Sequence, residues 1–196
     1  MTGGGRGRLI DCIAGKLLTT TESLAMSAQG RDAAVLIPLV VQPDESIKVV
    51  FTKRRDDLPT HAGQISFPGG RAESDDADLV ATALRESFEE LEIPTGAVDV
   101  IGAVEPMSAL ISDHAVYPVV GLVPAELKLV PHPGEVDTVF DVDLHALHAM
   151  REKREIRRAG LTFTTEAFET DGGLVWGVTG RILGRLLDRI EPCLTR

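Results

Sequence analysis

Residues 69–90 read Gly69-Gly70-Arg71-Ala72-Glu73-Ser74-Asp75-Asp76-Ala77-Asp78-Leu79-Val80-Ala81-Thr82-Ala83-Leu84-Arg85-Glu86-Ser87-Phe88-Glu89-Glu90. The second half has helical periodicity. At about 100° per residue, Glu86, Glu89 and Glu90 fall within an arc of roughly 100°. Val80, Leu84, Phe88 and Leu91 fall within roughly 80° on the other side. The spacing predicts an amphipathic helix over 78–91, stopped near Pro94. Its greasy back faces a core and its acidic front faces outward. Arg85 lies one turn before Glu89, close enough to pair with it and fix its rotamer. Like charges at Glu86 and Glu90 repel on a bare helix. A divalent cation with a taste for hard oxygen ligands reverses that sign. An acidic stripe alone reads as a solvated face. Here Phe67-Pro68-Gly69-Gly70 stands just ahead of it, and the two glycines let metal and phosphate approach bare backbone. The combination points to metal binding and to phosphate chemistry.

Outward from this stretch, the chain has 196 residues with 43% hydrophobic and 26% charged, enough for one globular domain without staples. The net charge of −10 argues against a nucleic-acid polymer as partner. It leaves room for a small phosphorylated substrate held by metals and a few local cations. Cys12 and Cys193, near opposite ends, read as reduced bystanders of a cytosolic protein. The N-terminal run lacks the apolar stretch of a leader, and no run is long enough to span a membrane, so a cytoplasmic location is expected.

Residues 1–8 are Gly/Arg-rich and expected to be disordered. A short helix is expected over 9–18, and a polar connector over 19–31. Apolar strands follow at 33–41 and 47–53, joined by a turn at Pro43-Asp44-Glu45-Ser46. Residues 56–66 are expected to form a loop. Further strands are expected at 98–104, 116–123 and 136–142, then a helix over 144–158. A hairpin at 161–170 and 174–179, around Asp171-Gly172-Gly173, precedes a closing helix at 181–190. The mixture lacks regular βαβ alternation and predicts an α/β layer structure of the α+β kind with a mixed sheet.

These motifs resemble the Nudix hydrolases, whose signature is G-x5-E-x7-R-E-U-x-E-E-x-G-U, with U aliphatic. Gly70, Arg85, Glu86, Glu89, Glu90 and Ile93 take the matching positions. Gly70 to Arg85 is one residue longer than the pattern. Counted back from Arg85, the first Glu falls on Ala77, between Asp76 and Asp78. Ser87 stands at the first U, and Glu92 replaces the late Gly. The longer loop resembles the coenzyme A pyrophosphatase subgroup, which also carries an upstream block of the form L-L-T-x-R-[SA]-x3-R-x3-G-x3-F-P-G-G. Thr52, Arg54, Gly63 and Phe67-Pro68-Gly69-Gly70 match it. Arg55 replaces the small residue, and Pro59 replaces the second Arg. With Pro118-Val119-Val120-Gly121, Glu135-Val136, Val139-Phe140, Trp176-Gly177 and Thr179, the resemblance runs over about residues 33–187.

The resemblance implies a Nudix-type mixed sheet sandwiched between helices, a single domain over residues 31–190 and an N-terminal extension over 1–30. It implies Mg²⁺ or Mn²⁺ held by Glu86, Glu90 and Glu89 with a backbone carbonyl of Gly69 or Gly70. Glu86, Glu89, Glu90 and Arg85 would form the catalytic set, with Glu86 or Glu135 as base. Arg54 is the leading phosphate contact, with Lys53, Arg55 and Arg71 beside it and His61, Gln64 and Ser66 lining the substrate loop. His114, His132, His145 and His148 have no metal-site spacing and read as surface. The basic run Arg151–Arg158 reads as a solvated helix face, or as a patch for a distal phosphate. Trp176 reads as core. The implied reaction is hydrolysis of coenzyme A or an acyl derivative at the diphosphate, giving 3′,5′-ADP and (acyl-)4′-phosphopantetheine. Pro59 keeps another nucleoside diphosphate derivative open, such as ADP-ribose or NADH. A binding module of the same fold without turnover is the third reading. A homodimer is implied by the family alone.

Overall fold

The computed structural model describes residues 7–25, 32–108, 115–158 and 160–195. Residues 1–6 of the stretch expected to be disordered, the end of the expected connector, the boundary at residues 30 and 31, and His114 lie outside the described residues, whereas Gly7 caps and Arg8 opens a helix. The elements are α1 (Arg8–Ala14), α2 (Thr20–Ala25), β1 (Ala33–Val41), β2 (Ile47–Arg54), β3 (Ile65–Ser66), β4 (Gly69–Arg71) and α3 (Leu79–Leu91). After a 3₁₀ turn at Thr95–Ala97 come β5 (Asp99–Ala103), β6 (Met107–Ser108), β7 (Ala115–Val123), β8 (Val136–Asp143) and α4 (Leu144–Met150). The chain ends with β9 (Arg151–Arg158), β10 (Leu161–Thr170), β11 (Gly173–Val175) and α5 (Gly177–Leu194).

β1 reads Ala-Ala-Val-Leu-Ile-Pro-Leu-Val-Val, a nearly continuous apolar run, because it is covered on both faces. Ala34 and Leu36 pack with Ala83 of α3 on one side. Ile37 and Leu39 join Ile10 and Ile13 of α1 and Ile182, Leu186 and Ile190 of α5 on the other. The helices therefore sandwich a mixed sheet, as expected: β1 runs parallel to β7 and antiparallel to its other partners.

The sheet is split where it matters. β2 pairs with β1 only at Leu39–Val41, while β4 pairs with β1 at Ala33–Val35. β3 pairs with β2 at Thr52 and Lys53. The segment from Ile65 to Arg71 is thus a wedge between two diverging strands. Pro38 shows how the sequence allows this. The Leu36 N–H donates to the Pro68 carbonyl at the wedge (2.9 Å). Pro38, two residues on, directs its missing N–H to the same side, where no β2 rung requires it.

Several expectations are corrected. First, α3 starts and ends as expected, but its buried face only overlaps the predicted stripe, of which Val80, Leu84 and Leu91 pack inward and Phe88 does not. Ala83, Ser87, Glu90 and Leu91 face inward, while Phe88 is 51% exposed. The helix is rotated by about a quarter turn from the greasy stripe. Small side chains at Ala83 and Ser87 bring its backbone close to the sheet, which carries Glu86 and Glu90 to the glycine turn. Second, the predicted helix over 144–158 ends at Met150, and Arg151–Arg158 is a strand paired with β10 along its whole length. Carboxylates across the ladder decide this: Arg151 pairs with Glu166 and Arg154 with Glu169. Third, the closing helix begins at Gly177, so the last hairpin strand is only Gly173–Val175. The connector before β1 contains α2, the helix expected over 9–18 ends at Ala14, and the loop expected over 56–66 ends in the strand Ile65–Ser66. Fourth, Cys12 and Cys193 are not free thiols; they form a disulfide that clasps α1 to α5 across 181 residues of sequence. Nothing in their spacing signals it, because the fold alone brings the two ends together.

Closing so long a loop stabilises the folded chain by about 2–5 kcal/mol. Cys193→Ser, or full reduction of the native chain, is expected to lower the melting temperature by roughly 5–15 °C. Melts with and without reductant, with alkylation and mass measurement, check this. Two alkylatable thiols in the unreduced protein would contradict it.

Candidate functional site

The wedge builds the floor of the site. Phe67 is buried and stacks on Phe51 of β2 at 5.1 Å, which fixes the turn that follows it. At Gly70 a Cβ would lie 2.4 Å from the Glu86 carboxyl carbon. Only glycine lets that carboxylate rest on bare backbone. The Gly69 backbone lies against the Glu90 carboxylate and favours its charged form.

Glu90 is 5% exposed, an unusual state for a carboxylate. Its Oε2 has no hydrogen-bond partner among the described residues. Burial pushes its pKa up to about 8, with Arg54 opposing and Glu135 and Glu86 adding to the rise. Glu86 is also raised, first by burial, against the pull of Arg85. Glu135 enters from the loop before β8. That loop is tied to the end of α3, because the His132 N–H donates to the Glu90 carbonyl (2.8 Å) and the Val130 N–H to the Leu91 carbonyl (3.0 Å). Arg54 faces the group from β2, 3.7 Å from Glu90 and 3.8 Å from Glu135. A register shift between Lys53 and Arg54 marks a bulge, the device that re-aims a strand side chain.

Glu89 does not join this group. Its side chain is 56% exposed and pairs with Arg85 at 2.9 Å. Among the described residues, no three His, Cys, Asp or Glu side chains already close on one ion position. The donors present nonetheless fit a hard divalent cation. Glu86 and Glu90 converge on a glycine floor, one buried carboxylate oxygen is orphaned, and Glu135 stands opposite.

Arg85 is the clamp of the helix. Its Nε donates to Asp76 (3.0 Å), Nη1 to Glu89 (2.9 Å) and Nη2 to the Arg71 carbonyl (3.0 Å). It also lies 3.0 Å from Glu86. Asp76 in turn accepts from the Thr82 hydroxyl (2.8 Å) and the Glu73 N–H (2.9 Å). Hydrogen bonding from Arg85 holds the Asp76 carboxyl down at about 2. Sequence reasoning missed Asp76, although the signal was present. Counted forward from Gly70, G-x5-E lands on Asp76, and the extra residue falls after it. Asp78 has another task, capping α3 through the Ala81 N–H at 2.8 Å. Glu92, standing where the pattern has glycine, takes a left-handed φ of 55° at the helix end.

The structure thus brings together Arg54, Glu86, Glu90, Gly69 and Gly70, with Arg85 and Glu89 at the rim. It does not bring the other candidates onto the carboxylates. Arg55 is bidentate with Asp57 (2.8 and 2.7 Å) and donates to the Pro133 carbonyl (2.8 Å). His61 bonds Gln64 at 2.8 Å within the loop, and the Ser66 hydroxyl bonds Thr52 at 3.2 Å. Lys53 lies on β2 beyond the bulge, and the Arg71 side chain is exposed. The basic run sits in a separate three-stranded sheet, and Trp176 packs with Phe163 at 6.3 Å. A shallow cavity of about 430 Å³ lies between the β1–β2 turn and residues 122–126 and contains none of these residues.

Asp76 provides a pH test. Its pKa falls from 3.8 to about 2 on folding, so its contribution is complete above about pH 4 and is lost as pH falls through 2. Asp76→Asn is expected to cost on the order of 1 kcal/mol at pH 7, discounted for solvent near the rim. The gap from the parent should close toward pH 2. Urea unfolding across that range measures it; a gap independent of pH would contradict the assignment.

Residues 30–162 match the NUDIX domain family model. Similar chains include the uncharacterized Nudix hydrolase NudL of Yersinia pestis and that of Yersinia pseudotuberculosis. Each is 38% identical over 173 residues, covering 87% of this chain and 85% of the relative. Among solved structures, a MutT/nudix family protein from Enterococcus faecalis matches with a TM-score of 0.52 at 11% identity, over 97% of this chain and 76% of that one. The Nudix hydrolase RenU from M. smegmatis matches at 0.50 with 16% identity, over 68% and 81%. Those two likenesses concern the fold. Together with the family model and the NudL relatives, they show that this chain belongs to the Nudix hydrolase family.

Proposed function

We propose that this chain is a metal-dependent pyrophosphohydrolase of coenzyme A or its acyl derivatives, releasing 3′,5′-ADP and (acyl-)4′-phosphopantetheine. The observation that carries the reading is the convergence of Glu86 and Glu90 on the Gly69–Gly70 floor opposite Arg54. The upstream block with Thr52, Arg54 and Phe67-Pro68-Gly69-Gly70, which matches the coenzyme A subgroup pattern, supports that substrate. Glu86 and Glu90, with Gly70 and with Glu89 at the rim, would hold Mg²⁺ or Mn²⁺. Such an ion neutralises the diphosphate, polarises the attacked phosphorus and acidifies water.

The chain's own residues do the rest. Arg54 presents a planar guanidinium to phosphate oxygens. Arg85 and Asp76 lock the rotamers of the acidic helix. Glu135, half-exposed beside the buried pair, accepts the proton of the attacking water. In-line displacement forms the new oxygen–phosphorus bond as the bond to the bridging oxygen breaks, and it needs positioning more than a covalent nucleophile. The catalytic unit is proposed to span residues 31–190, with α1 of the 1–30 extension clasped onto it. A cytoplasmic location goes with a coenzyme substrate. Among the described residues, no helix is long and apolar enough to cross a membrane.

A second reading rests on Pro59, exposed where the subgroup pattern has an arginine: the substrate is another nucleoside diphosphate derivative, such as ADP-ribose or NADH. A panel of diphosphates with Mg²⁺ or Mn²⁺ and product identification separates the two. Turnover of coenzyme A is expected, falling roughly 100-fold or more in Glu90→Gln. Turnover confined to the other diphosphates would select the second reading. Tight binding without turnover would show a non-catalytic module and overturn both.

A further inference from the structure

Arg54 and the carboxylates it faces are poorly matched to one another. The guanidinium lies 3.7 Å from Glu90 and 3.8 Å from Glu135, beyond the 2.7–3.2 Å of a good hydrogen bond. Its Nε is buried without a partner among the described residues, and so is Glu90 Oε2. A pair evolved as a structural salt bridge closes to contact, as Arg85 does on Asp76 at 3.0 Å in the same site. The ion pair is loose between Arg54 Nη1 and Glu90 Oε1, and each of the two side chains keeps a further buried atom, Nε and Oε2, short of a partner. The guanidinium suits an anion, and the carboxylate oxygen suits a cation. Yet the electrostatic link still holds, because Arg54 is the cation facing Glu90 and Glu135 in the described site.

We infer that Arg54 is an exchangeable counter-ion. Without ligands it stands in for the divalent cation at Glu90 and Glu135, and with ligands it turns to the diphosphate, so that metal and diphosphate binding reinforce each other through this one side chain. This rests on the metal-dependent reading above and deepens it by assigning a regulatory coupling to a residue otherwise read only as a phosphate contact. Its consequence is counter-intuitive. Removing a residue from the binding site should tighten one of its ligands. By linkage, the factor by which the diphosphate improves metal affinity equals the factor by which metal improves diphosphate affinity. Part of that factor should vanish with Arg54.

The test titrates Mn²⁺ calorimetrically into the metal-free full chain, with and without methylenediphosphonate, a diphosphate that does not hydrolyse. Parent, Arg54→Gln, Arg54→Lys and Glu90→Gln are compared. Arg54→Gln is expected to bind Mn²⁺ alone about 10-fold tighter than the parent and to lose most of the mutual enhancement. Arg54→Lys, which keeps the charge, should bind Mn²⁺ like the parent. Arg54→Met replaces Arg54→Gln where the latter does not fold. A merely structural role for Arg54 gives weaker or unchanged Mn²⁺ binding and overturns the inference. If Glu90→Gln abolishes Mn²⁺ binding while Arg54→Gln matches the parent, the inference falls and the metal-dependent reading stands. If neither the parent nor Arg54→Gln binds Mn²⁺, both fall.

Discussion

A carboxylate shut away from water on a glycine floor is the constraint around which this molecule is arranged. Burying Glu90 is unfavourable unless charge or hydrogen bonds compensate. Partial compensation comes from two directions, the Gly69 backbone below and Arg54 across the groove, and burial still pushes the carboxyl pKa up. Each has a structural cost elsewhere. The floor needs a bare backbone, hence Gly70 against Glu86. The floor also needs a gap in the sheet, hence the divergence of β1 and β2 and a proline at position 38. The helix needs to approach that floor, hence Ala83 and Ser87 on its inner face and Phe88 left in solvent.

The second anchor is the Arg85–Asp76 clamp, and it does a different job. It uses contact-distance hydrogen bonds, unlike the loose geometry around Arg54. It fixes the loop between the floor and α3, so the extra residue of that loop causes no slack at Gly70. The rim is therefore rigid and well paired, while the centre is left unsaturated. Stability invested at the periphery in this way lets unsatisfied groups persist where ligands act.

Much of this was legible from residues. The bounds of α3, the mixed sheet, the β1–β2 turn and the pairing of Arg85 with Glu89 follow from periodicity and spacing. Arg54, Glu86, Glu90 and the two glycines are brought together as expected. What was not legible depends on contacts distant in sequence. The face of α3 was misread only in part: Val80, Leu84 and Leu91 do turn inward, but Phe88 stays outside because the space against the sheet goes to Ala83, Ser87 and Glu90. The strand at Arg151–Arg158 looked helical because its partners, Glu166 and Glu169, lie on another strand. The Cys12–Cys193 bond joins the two ends of the chain, which no local pattern encodes. Asp76 was within reach: counting from the glycine rather than from the arginine lands on it.

The central claim is that Glu86 and Glu90 tolerate their proximity because they share a divalent cation over the glycine floor. Anomalous diffraction from crystals grown with Mn²⁺ addresses it directly. The account predicts a peak about 2 Å from carboxylate oxygens of both Glu86 and Glu90 and close to the Gly69–Gly70 backbone. Saturating Mn²⁺ with no peak at that position, or with a peak only elsewhere on the molecule, would contradict it.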